Sequence, residues 1–279
     1  MTVTAPPPVA AAPPPPRARR SRWLAVAVML LGGLGLTLFA APLASLLWRV
    51  PWADAATQLW SPQAREALRV SLMCSLCATV LCLVLGVPVA WILTRTQLPG
   101  RSVLRAITTL PVVMPPVVGG VALLLAFGRE GVFGRFLDET FGIRLAFSTH
   151  GVILAETFVA MPFLVLTVCG ALQSADRQLE EAARTLGASP WTVFRRVTLP
   201  QIRPSLLSGA VLCWARALGE FGATITFAGN LPGTTQTLPL AVYVALEQSP
   251  EAAVVLSLLL LAVSLSILIG LRKQWAGGL

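Results

Sequence analysis

The composition of this 279-residue chain excludes an ordinary soluble protein. Hydrophobic residues make up 56% of the chain and charged residues only 12%, whereas a soluble domain contains about a quarter charged residues. The net charge is +9, but the cations stand between long apolar runs. A nucleic-acid-binding protein needs its cations on one solvated face, so this charge favours a membrane topology instead.

The first segment, residues 1–22, is rich in proline and alanine and ends in four arginines. We predict a disordered cytoplasmic tail here, because the segment has no apolar periodicity. An apolar run over 23–48 follows and is predicted to be the first membrane span. The alternative is a cleaved signal peptide, whose apolar core of about 7–15 residues is shorter than this run.

Five further apolar runs follow the first. They cover residues 67–93, 108–127, 151–172, 205–228 and 252–271, and each can hold the roughly 20 residues that a spanning helix needs. The predicted fold is therefore an all-α, polytopic membrane protein with six transmembrane helices over 23–279. Prolines inside spans two, three and four predict kinks, since neighbouring groups can satisfy the carbonyls that proline frees; they are Pro88, Pro111, Pro115, Pro116 and Pro162.

The distribution of arginine predicts the orientation of the chain. Most arginines outside the spans lie in the N-terminal segment and in the loops after spans two and four. The positive-inside rule assigns these segments to the cytoplasm. Both termini are then cytoplasmic, which agrees with an even number of spans in the inner membrane.

The cytoplasmic loop over 173–204 is predicted to form two short helices at an elbow. Small and apolar residues recur at helical spacing on one face of the first helix: Leu179, Ala182, Ala183 and Leu186. Gly187 is suited to end that helix, and Ser189 and Pro190 are suited to begin the next. Pro200 and Pro204 are predicted to close the segment.

Two interpretations of this elbow follow from its residues alone. It is either an amphipathic hairpin on the bilayer, with Arg195 and Arg196 facing anionic lipid, or a docking element for a cytoplasmic partner.

The elbow resembles the EAA signature of ABC importer permeases. The matching residues are Glu181, Ala182, Ala183, Gly187, Val197, Leu199 and Pro200, with Val197 where isoleucine is usual. The resemblance implies that the elbow is a coupling helix that inserts into a separate cytoplasmic ATPase, two copies of which serve the complex. It also implies that Glu181 pairs with a cation there, and that this partner binds ATP and magnesium while this chain binds no cofactor.

The fifth span contains the unusual pair Arg216 and Glu220. They are i,i+4 neighbours on one helix face, and Arg216 lies about 17 Å along the helix from Ser205, near the membrane midplane. Charges at that depth usually face a cavity or a partner. Two roles stay open: a structural ion pair that locks the span in the bundle, or a cation that passes an oxyanion.

The stretches over 110–120 and 216–239 resemble the molybdate permease family and, more loosely, the sulfate and thiosulfate permeases. Together the resemblances cover roughly residues 67–270. They imply oxyanion import, with molybdate favoured over sulfate, thiosulfate or tungstate, and an external oxyanion-binding protein as a partner. A homodimer is expected, with a heterodimer of two related permeases as the alternative.

Spans three and five are predicted to line the path, because they contain the most unusual chemistry. The candidate residues are Pro111, Met114, Pro115, Pro116, Arg216, Gly219, Glu220 and Gly222. A secondary transporter would have inverted repeats around a midplane site, and the sequence contains no repeat. A membrane scaffold without transport activity would not need this charged pair.

No catalytic motif is expected in this chain. Lys273 is the only lysine, and it follows the last span, so the phosphate-binding motif GxxxxGKS or GxxxxGKT cannot occur. Cys74 and Cys77 form a CxxC inside an apolar run, without the further ligands that zinc requires, and are predicted to be packing residues rather than a metal site.

Overall fold

The computed structural model describes the backbone of residues 22–275 and the side chains of residues 24–267, 269 and 270. The predicted tail therefore lies outside the described residues except for Arg22, where the first helix begins. The helices are α1 (Arg22–Trp48), α2 (Trp52–Leu59), α3 (Pro62–Arg95), α4 (Arg101–Val113), α5 (Pro116–Phe127), α6 (Val132–Phe141), α7 (Thr149–Ser174), α8 (Arg177–Thr185), α9 (Pro190–Val193), α10 (Leu199–Leu218), α11 (Gly222–Ala228), α12 (Leu238–Gln248) and α13 (Pro250–Trp275). A π-helical turn, Phe194–Thr198, joins α9 to α10, and no strand occurs within residues 22–275.

The chain divides into two units after Trp48. The helix α1 is the described part of the first unit, and α2 to α13 belong to the second. The centre of the second unit is formed by α3, α7 and α10, which pack along one another. Small residues that are at most 1% exposed lie at this contact: Ala78 and Cys82 on α3, Ala160 on α7, and Cys213 and Ala217 on α10. Small side chains let helix backbones approach closely, which is a common basis of helix association in lipid.

Four of the predicted spans are single helices. The runs 23–48, 67–93, 151–172 and 252–271 correspond to α1, α3, α7 and α13, each of which is long and apolar enough to cross a membrane. Both α3 and α7 continue as helix through their internal prolines, Pro88 and Pro162.

The third predicted span, over 108–127, is divided at Pro115 and Pro116, where kinks were predicted, and the interruption is more complete than a kink. The helix α4 already begins at Arg101 and ends at Val113, and Met114 and Pro115 have extended backbone angles before α5 begins at Pro116. A residue before proline is disfavoured in the helical region, and proline itself has no N–H to donate. Pro116 can start the next helix because its missing N–H would have no partner at that position.

The fifth predicted span is also divided. The helix α10 begins at Leu199, earlier than predicted, and ends at Leu218, while α11 begins at Gly222. By length and composition, four described helices can span a membrane, and α5 with α6, bent by 47°, can make a fifth span. The third and fifth predicted spans are therefore interrupted rather than single helices, and the count of six spans stays a prediction for these two.

Candidate translocation path and coupling element

The two broken spans meet where α5 packs against α11. A Cβ atom added to Gly120 would lie 2.6 Å from the Cβ of Thr226, and one added to Gly222 would lie 2.8 Å from the Cβ of Pro116. Both distances are too short for real carbon atoms, so the two glycines permit this close approach. The sequence predicted both segments to line one path, and the structure places them side by side.

An ion pair stands at the break between α10 and α11. The Nη1 atom of Arg216 lies 2.6 Å from Oε2 of Glu220, and their side chains are 28% and 1% exposed. The other carboxylate oxygen, Oε1, accepts a hydrogen bond of 2.8 Å from the backbone N–H of Ala223 in the first turn of α11. The Glu220 carboxylate therefore connects the end of α10 to the beginning of α11, while the Arg216 side chain stays partly exposed.

Glu156, whose carboxyl group is buried, was not among the candidate residues predicted from the sequence. This residue of α7 is 1% exposed, and its Oε2 atom has no hydrogen-bond partner among the described residues. It lies within electrostatic reach of Glu220. A single acidic residue inside an apolar run is costly in lipid and often functional, and this signal would have identified Glu156.

The candidate path residues lie in three kinds of environment. Pro115, Pro116 and Gly219 are exposed; Pro111, Met114 and Arg216 are partly exposed; and Glu220 and Gly222 are buried. The exposed and partly exposed residues cluster at the two breaks, where the backbone leaves helical geometry. Buried Glu220 and Gly222 hold these breaks in place rather than presenting a surface.

The elbow, defined as residues 177–198, turns at Gly187. The N–H of Ala188 donates to the carbonyl of Ala183 at 3.0 Å, and the N–H of Gly187 donates to that of Arg184 at 2.9 Å. These two bonds form a Schellman motif, and Gly187 occupies its left-handed position with φ of +83°. Ser189 then accepts a hydrogen bond from Thr192 N at 3.2 Å and so caps α9, with Pro190 as its first residue. In the structure, α8 ends at Thr185, before Gly187, and α9 begins at Pro190.

One face of the elbow is apolar and open. Leu179 is 52% exposed, Leu186 is 88% exposed and Trp191 is 67% exposed. Ala182 is also exposed, and Ala183 is half-buried. The Trp191 ring, in the second helix of the elbow, stacks on Phe194 with ring centroids 5.8 Å apart.

The end of the elbow differs from the prediction. Val197 lies in the π-helical turn, and α10 starts at Leu199 and continues through Pro200 and Pro204. Pro200 directly follows the π-helical turn, and the flanking Thr198 and Leu199 have helical backbone angles. The two prolines therefore do not close the segment, and the elbow continues into α10.

The two adjacent glutamates of α8 have opposite environments. Glu181, which matches the EAA pattern, is exposed, whereas Glu180 is 5% exposed. The Oε1 atom of Glu180 lies 2.9 Å from Nη2 of Arg95 at the end of α3, and it accepts a second hydrogen bond of 2.9 Å from Oγ1 of Thr198. This contact could not be predicted from local pattern, because Arg95 and Glu180 are 85 residues apart in the chain.

A bundle of apolar helices with two broken spans, a charged pair at one break and an amphipathic elbow is the architecture of a membrane-embedded transporter subunit. The model of one family, described as the binding-protein-dependent transport system inner membrane component, matches residues 82–274, and this chain belongs to that family. It is thus a multi-pass inner-membrane permease subunit of an ABC transporter.

Named relatives and a solved structure agree with this membership. The chain is 48% identical over 242 residues to the molybdenum transport system permease protein ModB of Mycobacterium bovis, covering 86% of this chain and 90% of that one. It is 37% identical over 226 residues to the sulfate transport system permease protein CysT of Salmonella typhimurium, covering 79% and 81%. Its fold matches a chain of a bacterial alginate ABC transporter crystallised with a pentasaccharide-bound periplasmic protein, with a TM-score of 0.73 and 20% identity, covering 90% and 94%.

Proposed function

We propose that this chain carries molybdate into the cytoplasm as the permease subunit of an ABC importer. The observation that supports this substrate is the 48% identity, over 86% of the chain, with a relative named as a molybdenum permease. Sulfate is the second candidate, because the sulfate permease relative is 37% identical over 79% of the chain. Both anions are tetrahedral dianions, so the same path chemistry would serve either one.

In this proposal the path follows the two breaks, and the partly exposed Arg216 provides the positive charge that attracts an oxyanion. The exposed apolar residues beside the first break include Val112, at 43%, and Val117, at 53%. Apolar constrictions can close a path by excluding water. Glu220 holds Arg216 in place, so the structural pair and the anion contact are compatible roles for one cation.

The elbow is the proposed docking element for the ATPase. Its apolar face and the exposed Glu181 offer an apolar contact beside a charged one, which suits insertion into a groove of a partner. ATP and magnesium are bound by that partner and no cofactor by this chain, since the sequence has no lysine where a phosphate-binding motif would need one.

The proposed assembly contains two copies of this chain, two ATPase subunits and one external oxyanion-binding protein. Two ATPase sites need two elbows, and a homodimer provides them. In the proposed orientation the elbow and both termini face the cytoplasm, which follows from the arginine distribution. Mass measurement of the purified complex checks the composition, and one copy of this chain per complex would contradict it.

The substrate is tested with the complex in liposomes that contain ATP, together with its external binding protein. We expect uptake of radiolabelled molybdate that stops without ATP and is insensitive to ionophores. Sulfate and tungstate are measured in parallel. Uptake of sulfate without uptake of molybdate would favour the second candidate, and uptake driven by a sodium or proton gradient would contradict an ATP-driven importer.

A further inference from the structure

The end of α3 and the elbow are joined by one buried carboxylate. The Arg95 and Glu180 side chains are 9% and 6% exposed, and their charged atoms lie 2.9 Å apart. Thr198, which is fully buried, donates its hydroxyl hydrogen to the same Oε1 atom at 2.9 Å. We call these three residues the α3–elbow link.

The link connects three elements at a single point. Arg95 is the last residue of α3, Glu180 lies in the first half of α8, and Thr198 ends the π-helical turn that continues into α10. Movement of α8 would therefore act on α3 and on the beginning of α10 together.

Aromatic contacts reinforce the link on one side. The Trp91 ring of α3 meets Phe194 of the elbow edge to face, with centroids 5.4 Å apart. The Arg95 guanidinium lies 6.0 Å from the centre of the Trp91 ring, within the range of a cation–π contact. The link therefore has aromatic surface on this side, and its two charged side chains are 9% and 6% exposed.

The charges on the rest of the elbow differ from this pair. Glu181, Arg184, Arg195 and Arg196 are all exposed. A buried ion pair often adds no net stability compared with apolar residues of the same size, because both charges lose their hydration. Its geometric specificity is the property that apolar residues would not reproduce.

We propose that Arg95 and Glu180, with Thr198, are positioning residues that transmit movement of the docked elbow into α3. This inference rests on the proposed function, in which the elbow docks to the ATPase. Glu180 makes the elbow and the end of α3 move together, whereas the exposed Glu181 faces the partner. Breaking the link leaves ATP hydrolysis intact and removes its effect on the spans.

The test uses the assembled complex in liposomes, with ATP hydrolysis and molybdate uptake measured in the same vesicles. Coupling between two sites commonly amounts to about 5- to 150-fold, and we expect Glu180→Gln to lower the molybdate taken up per ATP by about tenfold. Thr198→Val, which removes one hydrogen bond and no charge, lowers the same ratio by a smaller factor. Arg95→Lys retains more of the ratio than Arg95→Gln, because lysine keeps the cation.

The matched control is Glu139→Gln. Glu139 pairs with Arg135 at 3.3 Å on α6, but these side chains are 70% and 72% exposed, and exposed pairs contribute little. We expect its uptake per ATP to equal that of the wild type. An equal ratio in Glu180→Gln, in a complex with its normal ATPase content, would overturn the proposal, as would loss of ATPase binding in both Glu180→Gln and Thr198→Val.

A second measurement, amide hydrogen exchange, tests the α3–elbow link independently of which anion is transported. Amide hydrogen exchange at the end of α3 is compared with and without ATP in the wild type and in Glu180→Gln. We expect a nucleotide-dependent change in the wild type that disappears in the variant. If the wild type takes up no oxyanion but shows this change, the proposed function fails and the link stands; if the change persists in the variant, the link fails.

Discussion

Removal of Arg216 is predicted to destabilise the fold, because it leaves the buried Glu220 carboxylate without a cationic partner. In Arg216→Ala, the Glu220 side chain, 1% exposed, keeps the N–H of Ala223 as its one hydrogen-bond partner among the described residues. Removing one member of a buried ion pair typically costs about 3–5 kcal/mol. We expect the lower end, about 3 kcal/mol, because the remaining hydrogen bond compensates part of the charge.

Removal of Glu220 is predicted to cost less. The Arg216 side chain left behind is 28% exposed, so water can solvate its charge. The first turn of α11 does lose an acceptor, and loss of such a capping group costs about 0.5–2 kcal/mol. We expect about 2 kcal/mol in total once the lost contacts of a buried side chain are included. The double variant strands no charge and should therefore be more stable than Arg216→Ala.

These changes are measured as thermal unfolding of the three variants in one detergent. For a chain of this size, 1 kcal/mol corresponds to about 2–4 °C in Tm, so Arg216→Ala should unfold roughly 6–12 °C below the wild type. Additive effects in the double variant would refute the claim that the two charges stabilise each other. If Arg216→Ala has wild-type stability but no uptake, Arg216 acts on the anion alone. If Arg216→Ala has normal uptake, Arg216 is not part of the path.

Three further predictions concern the packing contact and the elbow. Gly120→Ala places a Cβ 2.6 Å from a neighbouring side chain and should lower stability by about 1–3 kcal/mol. Gly170→Ala, which meets only open space inside α7, should not lower stability in the same unfolding assay, because alanine favours the helix. Gly187→Val puts a branched side chain at φ +83° and should reduce uptake per ATP. The control Gly142→Val imposes similar strain at φ +65° at the end of α6 and should leave uptake unchanged. Equal uptake by the two variants would contradict the role of the elbow. Glu181→Lys reverses an exposed charge and should leave the chain inserted but reduce ATPase co-purification, so unchanged co-purification would contradict a charged docking contact.

Local features of this structure were predictable because they depend on few neighbouring residues. The turn at Gly187 follows from a glycine after an amphipathic helix, and the beginning of α9 follows from a serine before a proline. The break at Pro115 and Pro116 was visible as an expected kink. Its full extent was not, because membrane helices often continue through proline, as α3 does through Pro88.

Contacts between distant segments were not predictable in the same way. Glu180 and Glu181 are chemically identical neighbours, and only the position of Arg95 decides which one is buried. The break after Leu218 has no proline at all, and glycine at 219 is compatible with either helix or break in lipid. Glu156 could have been noticed from its cost alone, but the sequence does not show what lies opposite it.

The close contact between α5 and α11 determines where this molecule can bend. With glycine at 120 and at 222, the two short helices interlock so tightly that sliding one past the other would force atoms together. Interlocked surfaces of this kind move as one piece, and rotation is absorbed at hinges of a few residues outside them. The non-helical residues 114–115 and 219–221 lie directly before α5 and α11, so a rotation of this interlocked pair relative to α4 and α10 would change the backbone angles at these residues.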